Sequence, residues 1–468
     1  MQPKMKTPIA LLLSVAVIGI FYVREQHRAS PPAVHVSPTP ATAVQPLAIV
    51  LAPHAGDDRL DAEIRTRQEQ VRTGRQPALA LEQLGWLFVA KARTCFDPGY
   101  YKLAEQCAFA LEIQTNANVQ AQADQTQAAL LLRGHVLHNL HRFKEAEPLA
   151  RELVAQRASP MDFALLGDVL MEQGRLNDAV DAYQKMMDLN PDSRAFARVA
   201  HIRWLKGDLD GAISAMQVAV GAIGSRDRES AAWMQTRLAF YQFQAGNMPL
   251  ANNACDAALA LQTNYAPAQL IRGRLLLSQG KSVEAADEFR QALKSNPLPE
   301  YYWAAIEALA ACGRTEEAQQ LETSLNARGT TDDPRTYALF LATRQTRPDL
   351  ALKLAREEIQ QRADVFTYDS LAWAYCAAGE VAAAQENIGR ALAEGTQDAR
   401  IFLHAAVIAQ HAGDVGQAKN FLEKTYARRH LLLPSERRYL EKTMTDLAWL
   451  PPAGPLSAGS NQFSSAAY

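Results

Sequence analysis

His135, His138 and His141 stand three residues apart within the stretch Gly134–Arg142. Imidazoles so spaced are a candidate metal-ligating set, because neutral ring nitrogens bind zinc and related ions. On a helix, at 100° per residue, His135 and His138 share one face. His141 falls where the helix should turn. Two ligands without a third beside them leave a metal site incomplete, so the pair reads first as polar lining of a helix surface. The alternative is a metal or small-ligand carrier using those two histidines.

Other chemistries fare less well. Gly273–Ser282 (Gly-Arg-Leu-Leu-Leu-Ser-Gln-Gly-Lys-Ser) resembles a phosphate loop in composition, but two residues too many separate its glycines and no strand precedes it. There is no His-Glu-x-x-His, Gly-x-Ser-x-Gly or Cys-x-x-Cys. Plentiful carboxylates without a pocket signal are solvated helix faces. The expectation is a noncatalytic chain with no cofactor and no resident metal. Cys95, Cys107, Cys255, Cys312 and Cys376 are odd in number and widely spaced. Free structural thiols are the default, a Cys95–Cys107 bridge the alternative in an oxidising compartment.

Charge narrows the partners. With 48 basic and 50 acidic residues, the chain lacks the electrostatic footprint of a nucleic-acid binder. Aromatics are sparse at 7%, and the abundance of Ala, Leu and Gln suits helices, so the body is expected to be all-α.

The ends differ from the body. Ile9–Val23 is an uncharged apolar run, preceded by Lys4 and Lys6 and closed by Arg24. Residues 1–28 therefore read as a signal anchor or signal peptide; with no prompt small-x-small cleavage site, the uncleaved anchor is preferred. Lys4 and Lys6 favour a body outside the cytoplasm, against the weaker opposing bias of Arg24 and Arg28; in a bacterium the expected compartment is the periplasm. Cleavage would make the chain secreted instead. Residues 29–56, rich in Pro, Ala and Val, are expected to be a disordered tether, and 451–468 a disordered tail.

Between the ends, a frame repeats. Gly174, Gly207, Gly246, Gly280, Gly313, Gly379 and Gly413 recur at about 34 residues or its double, with one longer interval. Five residues beyond each stands alanine: Ala179, Ala212, Ala251, Ala285, Ala318, Ala384 and Ala418. Seven residues before most of them stands another small residue, as at Gly167, Ala200, Ala239, Gly273, Ala372 and Ala406. Glycine permits a sharp turn between helices, and the small residues let the two helices approach closely. Two units lack the turn glycine: His141 takes its place in one, and Arg347-Pro348 interrupts another near Thr346, where a local bend or loosened packing is expected. Ile306 replaces a small residue.

This pattern resembles the tetratricopeptide repeat family, with its helix-turn-helix units of about 34 residues. The resemblance implies a right-handed α-solenoid of about ten repeats over 82–432, following the N-terminal apolar helix. Flanking helices at 57–81 and 433–450 would cap the ends. It also implies a concave groove, formed by the first helix of each unit, where partners bind. In this register Trp86, His135, His138, Asp168, Trp204, Trp233, Phe240, Phe243, Arg274, Glu300, Trp303, Glu307 and Trp373 fall on groove positions. Aromatic anchors for a protein or peptide partner are one reading, gap-filling between neighbouring first helices the other. The Lys and Asn pairs with which some family members clamp a C-terminal carboxylate are missing: Leu131 with His135, Ala164 with Asp168 and Thr236 with Phe240 stand there instead. The function expected is a noncatalytic interaction scaffold or assembly factor, attached to the membrane through its N-terminal helix. An accessory subunit of an exported enzyme is a further alternative.

Overall fold

The structure, a computed structural model, describes residues 46–114, 118–224 and 227–451. The described residues from Leu47 onward form one compact unit. All regular elements among them are helical. A flanking helix α1 (Arg59–Arg72) precedes ten antiparallel pairs. The first five are α2 (Pro77–Cys95) with α3 (Gly99–Ile113), α4 (Val119–Asn139) with α5 (Phe143–Gln156), α6 (Pro160–Glu172) with α7 (Leu176–Leu189), α8 (Ser193–Leu205) with α9 (Leu209–Ala222), and α10 (Arg228–Gln244) with α11 (Met248–Leu261). The rest are α12 (Ala266–Ser278) with α13 (Ser282–Ser295), α14 (Pro299–Ala311) with α15 (Thr315–Asp332), α16 (Pro334–Thr343) with α17 (Pro348–Glu358), α18 (Val365–Ala377) with α19 (Val381–Leu392), and α20 (Ala399–His411) with α21 (Val415–Ala427). A final helix, α22 (Pro434–Asp446), closes the series.

The local chemistry of each pair follows from the sequence frame. Every turn glycine of the frame has a positive φ, from +74° at Gly174 to +81° at Gly207, where a side chain would be strained. His141 (φ 58°) and Gln345 (φ 51°) adopt the same conformation without that freedom. The alanines beyond the turns are buried. A Cβ on Gly167 would come within 2.4 Å of the Tyr183 ring, and one on Gly273 within 2.4 Å of Phe289, so close helix contact excludes any side chain there. At the irregular unit, Arg347 is a second left-handed residue beside Gln345. It absorbs one extra residue, and Ala351 is still fully buried, so the packing of that pair is not loosened there. Aspartates open many helices: Asp192, Asp333, Asp364 and Asp398 each accept backbone N–H groups of the first turn.

The carboxyl end of the segment 29–56, expected to be a disordered tether, is ordered against the body from residue 46 on. Residues 46–50 are helical, Val50 is buried against the first repeats, and Gln68 Nε2 donates to the carbonyls of Val50 (2.8 Å) and Ala52 (2.8 Å). Val50 joins the apolar cluster that also holds Ile64 and Leu81, a burial that proline content alone does not reveal. The first pair begins at Pro77 rather than 82, with Pro at the start of its helix. The N-terminal apolar run and most of the tail lie outside the described residues. No helix among the described residues is long and apolar enough to cross a membrane.

Pairs distant in sequence also meet. The turn of the first pair meets the loop after the fifth, Phe96 packing on Tyr265 with centroids 6.1 Å apart. The third turn meets the loop after the eighth, where Arg362 pairs with Glu172 at 2.8 Å. At the fourth, Lys206 reaches Glu394 at 3.0 Å and Thr396 Oγ1 donates to the Leu205 carbonyl. At the fifth, His430 Nε2 lies 2.9 Å from the Phe243 carbonyl. One rim of the early pairs is thus seated along the opposite rim of pairs about five further on, forming a continuous seam. Steric detail follows the seam: a Cβ on Gly174 would lie 2.1 Å from Ala363 O, and one on Gly207 2.3 Å from Gly395 O. Beside Gly280, Gly313, Gly379 and Gly413 there is open space.

Candidate functional site

The first helix of each pair faces the interior of the solenoid, and the seam brings that inner face against itself. Trp204 on α8 and Phe366 on α18 stack with centroids 5.5 Å apart. Trp204, Phe243, Trp303, Trp373 and Glu307 are buried, Trp303 to 1% exposure. Trp86, His135, His138, Asp168, Trp233, Phe240 and Arg274 are partly exposed.

Each buried residue has internal partners. Trp373 stacks on His404 (4.1 Å) and its Nε1 donates to Thr343 Oγ1 at 3.0 Å. His404 Nδ1 is 2.8 Å from Asp369 Oδ1. Trp303 Nε1 donates to Glu307 Oε1 (3.2 Å), and Glu307 Oε2 accepts the Ser435 N–H (2.9 Å), docking the start of α22. Asp168 takes a bidentate pair from Arg198 (2.8 and 2.7 Å) and the Tyr183 hydroxyl (2.8 Å). Burial opposes its charge, yet Arg198 holds its pKa below the usual carboxylate value.

The histidines sit among rings. His135 lies 5.3 Å from Trp86, and His138 is edge-on to Phe143 at 5.5 Å. Burial, followed by the nearby His138 and Arg93, pushes the His135 pKa down to about 3. His141 is lowered to about 4, chiefly by burial and then by Arg362. No group of three His, Cys, Asp or Glu among the described residues is placed to hold a metal ion. Cys95 is exposed and Cys107 buried; both are free thiols.

At the centre of the inner face lies a cavity of about 180 Å3. Trp204, Phe240, Phe243, Trp303 and Phe366 form its walls, and Arg274, Arg335, Arg400, Asp369, Asp398 and Glu436 supply charge. Arg400 is paired with Glu436, and Arg335 with Asp364 at 3.0 Å. Burial works against the charge of both arginines, but the adjacent carboxylates more than offset it and raise their pKa values. Arg274 differs: burial and then the like charge of Arg400 lower its pKa. Of these groups, the repeat register singles out Trp204, Phe240, Phe243, Trp303 and Arg274. Phe366 and Asp369 share the helical face of Trp373, so the same register pointed to them; Asp398 and Glu436 come from a loop and from α22, which the repeat frame does not place.

The arrangement can enclose and position a ligand; it shows no nucleophile paired with a base. The tetratricopeptide repeat model matches residues 164–227, 236–298 and 270–325. Among solved structures, the chain is similar to the APC/C hetero-tetramer Cut9-Hcn1, at 17% identity and TM-score 0.39, covering 86% of this chain and 67% of that one. It is similar to the human IFIT1 dimer with PPP-AAAA, at 11% identity and TM-score 0.45, covering 82% and 99%. It also resembles a tetratricopeptide repeat protein from Parabacteroides merdae, at 17% identity and TM-score 0.31, covering 55% and 100%. No match is found among the curated proteins. The matched segments show that residues 164–325 are built of tetratricopeptide repeats, and the helix pairs on either side keep the same helix-turn-helix pattern.

Proposed function

We propose that the chain is a noncatalytic interaction scaffold that takes a protein or peptide partner against the accessible part of its inner face, outside the cytoplasm. The observation that carries this reading is the set of partly exposed aromatic and polar groups on the first helices of the first, second and fifth pairs: Trp86, His135, His138, Trp233 and Phe240. Aromatic side chains supply most of the anchoring energy of such contacts, because they bury large area at small entropic cost. The buried Trp303 and Trp373 fall outside this role and serve the scaffold's rigidity. Placement outside the cytoplasm is supported by the apolar run Ile9–Val23 and the basic residues before it.

The test is photocrosslinking in intact source cells, with a photoreactive side chain at Phe240 or Trp86 and a control at Lys185, exposed on the second-helix face. A discrete protein captured only from the inner positions supports the reading. Equal capture from Lys185, or none from any position, overturns it. Protease digestion of spheroplasts tests the location: a body outside the cytoplasm is degraded without lysis.

A further inference from the structure

The central cavity contains polar groups that the fold leaves unanswered. Trp204 Nε1 and Gln244 Oε1 both belong to side chains lining it, both are buried, and neither has a hydrogen-bond partner. Trp204 is 5% and Gln244 7% exposed. One is a donor and the other an acceptor. Leaving two such groups buried and unpaired costs on the order of 1–3 kcal/mol each, which marks the place as one built for an occupant.

The charges are unanswered in the same complementary way. Arg335 and Arg400 have close carboxylates, whereas Arg274 donates to the Leu431 carbonyl at 2.7 Å and has its nearest carboxylate, Glu300, only at 4.0 Å. Asp398 Oδ1 accepts the N–H groups of Arg400 (2.9 Å) and Ile401 (3.2 Å). Among the described residues Asp398 forms no close ion pair; burial pushes its pKa up against the opposing pull of the nearby Arg400. The site thus presents one unpaired donor and one unpaired acceptor, with Arg274 and Asp398 as a cation and a carboxylate that feel each other's charge without forming a close pair. Its walls are aromatic, and its volume slightly exceeds the roughly 150 Å3 at which an apolar cavity takes up benzene. Glu300, at 53% side-chain exposure, marks the way in from solvent.

We propose that this cavity binds a zwitterionic α-amino acid with a ring-bearing side chain. Its carboxylate is held by Arg274 and the Trp204 N–H, its ammonium by Asp398 and Gln244 Oε1, and its ring by the aromatic walls. A purely anionic ligand would leave Asp398 and Gln244 unmet, and a purely apolar one would leave all four groups unmet. The site is separate from the partner surface proposed above, and either can fail without the other.

Calorimetric titration of the purified full-length chain with L-phenylalanine, phenylacetate and phenethylamine tests the proposal. L-Phenylalanine is expected to bind and to raise Tm, with both singly charged analogues about tenfold weaker or worse. Arg274→Gln should weaken L-phenylalanine binding by about tenfold or more. Gln244→Met, which keeps size and removes the amide, should weaken it several-fold while raising the Tm of the unliganded chain, since the unpaired acceptor is gone. Binding of phenylacetate as tight as that of L-phenylalanine would overturn the proposal. So would the absence of heat and Tm shift with all three, the result expected if water alone fills the cavity.

Discussion

Trp204 and Phe366 lie in the fourth and ninth helix pairs, yet their rings stack with centroids 5.5 Å apart and planes 20° from parallel. This contact, like the ion pair Glu172–Arg362, exists only because the solenoid returns upon itself after about five pairs. The inner face is therefore partly a core, with the packing demands of one.

The seam divides chemically identical turns into two classes. Gly174→Ala and Gly280→Ala both place alanine at a positive φ (+74° and +79°), a strain of about 1 kcal/mol. Only Gly174→Ala also drives a methyl into the Ala363 carbonyl. Denaturant titration should show Gly280→Ala losing about 1 kcal/mol and Gly174→Ala about 3 kcal/mol or more. Small-angle scattering should show expansion for Gly174→Ala alone. Equal losses would mean that the rims do not meet in solution.

Glu307 is a second point of leverage. Glu307→Ala strands the Trp303 indole N–H and the Ser435 backbone N–H, two buried donors, at a cost of about 2–4 kcal/mol. Hydrogen exchange is expected to quicken first in α22, whose start those bonds fix. Protection of α22 unchanged in the variant would contradict this assignment.

Asp168, placed by register among groove residues, is committed to Arg198 and Tyr183. Removing it leaves a largely buried guanidinium unpaired, so Asp168→Ala should cost about 3 kcal/mol. The melting temperature of the purified chain checks this without any partner. No change in Tm would release Asp168 for recognition.

Acid should destabilise the chain. His135 and His201 are both held to a pKa of about 3, mainly by burial, with positively charged or titratable neighbours adding to it. Both are neutral in the folded state and take up protons near pH 6.5 when unfolded. The unfolded state binds more protons between these limits, so stability is complete above pH 6.5 and declines as pH falls toward 3. Urea midpoints measured from pH 7.5 to 4.5 should fall steadily. His135→Gln should reduce the slope by about one proton, or about 1.4 kcal/mol per pH unit. A midpoint that rises on acidification would refute neutral imidazoles in the folded state.

The helix pairs were legible because their determinants are local. Gly174 and Ala179 fix a turn and a close contact within a few residues; the glycine-free turn at His141 keeps that register, and the one at Gln345 regains it after one extra residue. The fates of Trp303 and Glu307 were not legible. Whether a groove position faces solvent or another pair depends on how far the solenoid rotates per repeat, a sum of small angles that no single residue encodes. The docking of Val50 and the entry of Glu436 into the cavity were missed for the same reason: both come from outside the repeat frame.

A solenoid held only by contacts between adjacent repeats can fray from either end, since each repeat answers only to its neighbours. The seam changes the arithmetic of unfolding in this chain. Opening the fourth pair also unseats the ninth, so the molecule should lose structure as one cooperative body rather than unzip. It also fixes the repeat number: excising a single internal pair, which leaves neighbour contacts intact in an open solenoid, would shift every later loop by one place and bring Gly174 opposite the wrong rim.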